Sequence, residues 1–273
     1  MTINCKGNLI DLSKPKVMGI LNLTPNSFYP ESRISEESVL LKKAEKMQEE
    51  GATFIDIGGY SSRPNAEDVS IEEELNRVLP AIELLVKKFP EIIISVDTFR
   101  AEVADKSIQA GAALINDISA GSLDEEMMPI VTKHQVPYIM MHMRGTPKTM
   151  QSLTDYNDLT RDIIYYFSEK IKLARQHGIN DIITDPGFGF AKTTEQNFEL
   201  FKNLELFKNL DLPLLVGVSR KSMIYKSLGI NAQEALNGTT VLNSLALSRG
   251  ASILRVHDVK EAVECVKLYS QAC

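Results

Sequence analysis

Cysteine is scarce in this 273-residue chain, and the three present, Cys5, Cys265 and Cys273, are scattered with no CxxC pair. An odd, dispersed set argues against a disulfide framework and a structural zinc site, and it suits a reducing compartment. No run approaches the roughly 20 apolar residues that a membrane helix needs. The opening MTINCKGNLIDL has no charged stretch leading into a long apolar run, so no secretory signal is expected there. Basic runs are missing too, and the formal net charge is −6. Duplex binding draws on clustered Lys and Arg, so no nucleic-acid partner is expected. These absences leave a cytoplasmic protein with no membrane or nucleic-acid partner, in which a local cationic pocket for a small anion stays possible.

What is present is an alternation. Short apolar runs at Val17–Leu21, Thr53–Ile57, Ile92–Val96, Ala113–Ile115, Tyr138–Met141, Ile182–Thr184, Pro213–Val216 and Ser252–Arg255 are separated by amphipathic stretches. The runs are apolar throughout, as parallel strands buried on both faces are. Ser70 with Glu73, and Thr193 with Gln196, have capping-box spacing, the first opening a helix to about Phe89. Gly51 and Gly178 stand where left-handed residues stop helices. Pro80 falls inside a helix and is expected to kink it. Residues 3–12, around Lys6-Gly7, read as a hairpin closing one end of the fold. Eight strand–helix units in about 250 residues point to a single-domain (β/α)₈ TIM barrel spanning 1–273. An open doubly wound sheet is the alternative, but the glycine fingerprint of a dinucleotide fold is absent after the first strand.

Each strand run is followed by an unusual polar or glycine-rich string. In order they are NLTPNSF (22–28), DIGGYSSRP (56–64), DTFR (97–100), NDIS (116–119), HMRGTP (142–147), DPGFGFAK (185–192), GVSRKS (217–222) and RVHD (255–258). In a closed barrel all eight converge on the mouth at the C-terminal strand ends, where barrel enzymes place their active sites.

MGILNLTP (18–25), SVDTFRAEVA (95–104), DPGFGFAK, GVSRKS and RVHD, in that order, resemble the dihydropteroate synthase family along nearly the whole chain. The resemblance implies a (β/α)₈ barrel, usually a homodimer. It implies condensation of 6-hydroxymethyl-7,8-dihydropterin diphosphate with p-aminobenzoate in folate synthesis, the step sulfonamides target. It also implies a pterin set of Asp97, Asn116, Met140, Asp185, Phe190, Lys221 and Arg255. An aspartate such as Asp185 suits the pterin amino group and N3–H, a lysine its O4, and an asparagine the mixed ring-nitrogen edge. The implied diphosphate set is Asn22, Ser62, Arg63, Arg255 and His257. Arg255 and His257, one residue apart, share a side of an extended segment. Asn22 is the implied Mg²⁺ ligand, since Mg²⁺ is often held by one protein oxygen plus substrate phosphates. Pro64, Phe190, Lys221 and Ser222 are the implied p-aminobenzoate set, and Asp97, Lys221 and Arg255 the catalytic one. Diphosphate departure ahead of amine attack, through a pterin methylene cation, is the implied order.

Some positions depart from the family strings. Asn26 replaces an aspartate in the first loop, Tyr29-Pro30-Glu31 replaces an Asp/Gly-rich continuation, Tyr60 and Ser62 replace Glu and Thr, and Asn65 replaces glycine. These bear on loop geometry and on sulfonamide sensitivity. Three other readings stay open on sequence: a methyltransferase-type pterin barrel, a non-catalytic pterin-binding barrel, and a barrel acting on an unrelated phosphate ester.

Overall fold

The computed structural model describes residues 1–23, 33–60 and 69–272. A hairpin, β1 (Thr2–Cys5) and β2 (Asn8–Asp11), comes first. Eight parallel strands follow: β3 (Lys16–Asn22), β4 (Phe54–Gly58), β5 (Ile94–Asp97), β6 (Leu114–Asp117), β7 (Tyr138–Met141), β8 (Ile182–Asp185), β9 (Leu215–Val216) and β10 (Ile253–Val256). The helices between and after them are α1 (Arg33–Glu49), α2 (Ile71–Lys88), α3 (Ala101–Ala110), α4 (Met127–His134), α5 (Leu159–Gln176), α6 (Thr194–Lys202), α7 (Ser222–Leu228), α8 (Leu236–Ser248) and α9 (Val259–Ala272).

The strands pair in the order β8-β7-β6-β5-β4-β3-β10-β9. A parallel bridge between Thr184 and Leu214 joins the two ends of that series, with the Thr184 N–H donating to the Pro213 carbonyl at 3.0 Å. The sheet therefore closes into a barrel, and the open-sheet alternative falls away. Both expected capping boxes form, Ser70/Glu73 before α2 and Thr193/Gln196 before α6. Gly51 and Gly178 take positive φ after α1 and α5. α2 runs through Pro80 as one element. No helix among the described residues is long and apolar enough to cross a membrane.

The strands extend further toward the mouth than the apolar runs do. Asn22, Asp97, Asp117 and Asp185 are the last residues of their strands, not the first of their loops. The ladder is a backbone property, so it continues past the point where side chains turn polar. Strand parity then divides the barrel interior. Met18, Phe54, Leu114, Ile139, Ile183, Leu215 and Ile253 form an apolar floor layer, and the hairpin plugs it with Ile3 and Cys5, joined by Leu12 beyond β2. Lys6 and Gly7, both left-handed with φ 52° and 91°, make the two-residue hairpin turn. Asp181 ties the hairpin down by accepting from the Asn4 N–H at 2.8 Å. Two residues above the floor, on the same face, stand Asp56, Asn116, Met141, Asp185 and Arg255.

Ile183 is fully buried in this floor. Ile183→Ala is expected to cost about 2–5 kcal/mol of unfolding free energy through lost burial and the cavity left behind. Urea denaturation with an unchanged m-value checks it.

Candidate active site

At the mouth end the chain lines a shallow cavity open to solvent, with Asp97, Asn116, Asp185, Lys221 and Arg255 as its polar groups. Ile118, Met141 and Phe190 form its apolar side. Its centre is the Arg255 guanidinium. Nε donates to Asp56 Oδ2 at 2.6 Å, and Nη2 donates to Asp97 Oδ2 at 2.6 Å. Asn116 Nδ2 donates to the same Asp56 oxygen at 3.1 Å. Four strands, β4, β5, β6 and β10, are thus tied through one buried carboxylate and one cation.

Burial sets the electrostatics. It works against charge on Arg255, but Asp56 and Asp97 outweigh it and hold the guanidinium above its usual range. Burial pushes Asp97 up to about 7 against the pull of Arg255, helped by the negative charges of Asp56, Glu74 and Asp117. Asp185 is also raised by burial, partly offset by Lys221 and by the Gly187 N–H, which donates to Oδ1 at 2.8 Å. Lys221 is lowered by burial to about 8, with Asp185 opposing. Its ammonium donates to the Phe188 carbonyl at 2.5 Å and stands 5.0 Å from the centre of the Phe190 ring.

Six of the seven residues in the pterin set line this cavity. Met140 does not. It is fully buried in the layer between barrel and helices, while Met141 takes the cavity position. Parity explains the correction: Ile139 belongs to the floor layer, so Met141 shares its face and Met140 the opposite one. Asp56 is the residue that sequence reasoning passed over. It heads the second polar string, and the signal available was its two-residue spacing from Phe54.

Around the rim, Asn22 ends β3 and is exposed. His257, also exposed, lies just past β10 with Nδ1 3.1 Å from Ser219 Oγ. Arg220 grips Asp258 with two 2.8 Å bonds, so GVSRKS and RVHD are locked side by side. Arg220 does this at φ 54°, a left-handed position for a non-glycine residue. Ser222 opens α7, with Lys221 as its N-cap. Ser62, Arg63 and Pro64, together with Asn26, Tyr29, Pro30, Glu31 and Asn65, lie outside the described residues. No cluster of three or more His, Cys, Asp or Glu that could hold a metal occurs among the described residues.

A closed barrel whose mouth gathers an arginine, a lysine and three carboxylates around one cavity has the layout of a small-molecule enzyme. The family model described as "Pterin binding enzyme" matches residues 18–257. The dihydropteroate synthase of Synechocystis sp. is 46% identical over 255 residues, covering 92% of this chain and 88% of that protein. The crystal structure of Yersinia pestis dihydropteroate synthase with a sulfonamide drug superposes with a TM-score of 0.91 at 42% identity, covering 100% of this chain and 98% of that one. The Xanthomonas albilineans dihydropteroate synthase in complex with 7,8-dihydropteroate gives 0.88 at 34% identity, covering 100% and 98%. The chain belongs to the pterin-binding enzymes, in the dihydropteroate synthase family, and so to the transferases.

Asp56→Ala removes one of the two carboxylates on a half-buried guanidinium and leaves Asn116 without its partner. Breaking a buried pair from one side is expected to cost about 3–5 kcal/mol of stability. Pterin affinity is expected to fall with it, because Arg255 and Asn116 lose their shared anchor. Denaturant unfolding and calorimetric titration with the dihydropterin diphosphate measure the two effects.

Proposed function

We propose that the chain condenses 6-hydroxymethyl-7,8-dihydropterin diphosphate with p-aminobenzoate, releasing diphosphate and 7,8-dihydropteroate. The observation that carries this reading is the convergence of Asp185, Lys221, Asn116 and Arg255 on one cavity. That is a donor and acceptor set matched to the edges of a pterin, beside an apolar wall of Ile118, Met141 and Phe190 suited to its ring. Such a site rejects analogues that leave its own buried groups unpaired.

Asp185 accepts from the pterin amino group and N3–H, Lys221 donates to O4, and Asn116 meets the ring nitrogens. Arg255 and His257, with Ser62 and Arg63 of the second loop, receive the diphosphate. The C–O bond to diphosphate breaks first, and the leaving group takes the electron pair. Asp97, fixed by Arg255, stabilises the methylene cation left on the pterin. The arylamine lone pair then forms the C–N bond, and the nitrogen proton passes to water or diphosphate. No enzymic nucleophile is required, since the leaving group is good and the cation is stabilised. The amine pocket is assigned to Phe190, Lys221 and Ser222, with Pro64, which lies outside the described residues, carried over from the family resemblance.

Among the described residues, Asn22 offers an exposed amide oxygen that would hold Mg²⁺ together with the substrate. Bound there, Mg²⁺ would supply charge neutralisation to the leaving group. A cytoplasmic setting agrees with the free, buried Cys5 and Cys265. A homodimer is supported by exposed apolar side chains on the outer helices, Val241 and Leu245 one turn apart on α8 and Leu268 on α9. Sedimentation is expected at twice the 30.4 kDa chain mass.

The deciding experiment mixes the purified protein with both substrates and Mg²⁺ and follows diphosphate and pteroate in parallel. Equimolar release is expected; pterin binding with no diphosphate release would favour the non-catalytic reading. Asp97→Asn should cut turnover about a hundredfold or more while changing pterin affinity only a few-fold. The ionised carboxylate is the working form, and its pKa is raised, so it is lost as pH falls. Wild-type kcat/KM for the pterin substrate should therefore climb as pH rises through about 7 and then level. That acid limb should vanish in the Asp97→Asn profile.

A further inference from the structure

One buried cation takes no part in the chemistry above. Lys192, last residue of DPGFGFAK, is 5% exposed. Its ammonium is fully coordinated: Nζ donates to the Gly187 carbonyl at 2.9 Å and the Phe190 carbonyl at 3.0 Å, and lies 3.1 Å from His142 Nδ1. Three acceptors match three N–H groups. His142 is 3% exposed, and burial, reinforced by Lys192 and Arg144, keeps its pKa well below normal. A neutral imidazole can accept through Nδ1, and its ring is braced edge-on by Tyr166 at 4.9 Å.

The segment gathered by Lys192 has little conformational preference of its own. Gly187, Gly189 and Ala191 alternate through the left-handed region, with φ of 70°, 84° and 49°. A Cβ on Gly187 would stand 2.1 Å from the His142 carbonyl oxygen, so chain approach here is as close as glycine permits. The carbonyls of this segment serve two lysines. Those of Gly187 and Phe190 go to Lys192, and that of Phe188, between them, goes to Lys221. The Phe190 ring then lies over the same Lys221 ammonium. A buried charge is a weak device for stability but a stringent one for geometry, because each of its N–H groups must find an acceptor in place.

We propose that Lys192 is a positioning residue for the pterin site: by gripping the Gly187 and Phe190 carbonyls and His142, it sets where Phe188 and Phe190 hold the Lys221 ammonium. The inference rests on the pterin-site reading given above. Its action is indirect, passing through Lys221, and this makes it separable from a purely structural role.

The test is a double-mutant cycle read by calorimetric titration with 6-hydroxymethyl-7,8-dihydropterin diphosphate. Lys192→Met is expected to weaken binding about tenfold or more in the wild-type background. In the Lys221→Met background the same change should weaken it less than about twofold, since the group it positions is gone. An equal loss in both backgrounds overturns the proposal, as does wild-type affinity in a folded Lys192→Met protein. If Lys192→Met does not fold, His142 provides the second route. His142→Leu deletes one acceptor and should weaken binding several-fold, whereas His142→Gln restores an acceptor and should bind close to wild type. Wild-type affinity in His142→Leu overturns the proposal. A wild-type protein that binds no pterin at all removes the pterin-site reading instead, a result distinct from variants that bind as wild type does.

Discussion

The mouth of this barrel is organised around a guanidinium held between two carboxylates. Arg255 and Asp56 are 199 residues apart, and their 2.6 Å contact exists only because β10 returns to lie beside β3, next to β4. The β8–β9 bridge then completes the ring and brings Asp185 and Lys221 to the same mouth. Once closed, the barrel places opposite charges where water is scarce, and each becomes expensive to leave alone. Arg255 cannot leave Asp56 without stranding a carboxylate, nor Asp97 without stranding another. Asn116 is drawn into the same arrangement by its bond to Asp56. The geometry offered to a substrate is therefore set before any substrate arrives, which is what preorganised electrostatic stabilisation demands.

Strand parity lets one set of short strands do two incompatible jobs. Leu114 and Asn116, Ile183 and Asp185, Ile253 and Arg255 are pairs two residues apart on one inward face. The lower member of each pair packs in the apolar floor, and the upper one faces the cavity. Inside the barrel, cohesion comes from the floor and its hairpin plug, which add to the larger barrel–helix layer, while charge is concentrated two residues above. Because Asp97, Asn116, Asp185 and Arg255 sit within hydrogen-bonded strands, the site inherits the rigidity of the sheet and does not depend on loops for its position. The Arg220–Asp258 pair then carries that rigidity one step outward, to the two strings that present Lys221 and His257.

The sequence disclosed the strand order, both capping boxes and the hairpin, because each rests on local signals: apolar runs, fixed spacings and a Lys-Gly turn. It also disclosed most of the polar rim, because a charged residue that ends an apolar strand must meet either a buried partner or a cavity. Met140 and Met141 were not separable in the same way. In the run YIMM every position is apolar and every side chain is buried, so nothing in composition says which methionine faces inward. That depends on the neighbouring strand's register, a non-local fact. Asp56 was obscure for a related reason, since its partners come from β6 and β10. Lys192 was visible only as the end of a motif, because its role lies in carbonyl directions that no residue name encodes.

The two lysines of this mouth show how far the site departs from what stability alone would select. Burial lowers Lys221 to about 8 and Lys192 to about 7, each with Asp185 pulling the other way. A fold optimised for cohesion would fill both positions with apolar side chains, which satisfy burial without desolvating a charge. Two ammonium groups on either side of the 187–190 turn fit the proposed reading, in which Lys221 meets a substrate carbonyl and Lys192 keeps that turn in register. The left-handed glycines at 187 and 189 make that loop possible, yet they also make it soft, since glycine leaves many backbone states open. Softness and multiple buried donors are complementary: a segment with weak intrinsic preference can be driven into one unusual path by a cation that tolerates no unfilled acceptor position. On the proposed reading, specificity for the pterin edge is a property of the whole 185–192 segment, with Asp185 at one end in the sheet and Lys192 buried at the other.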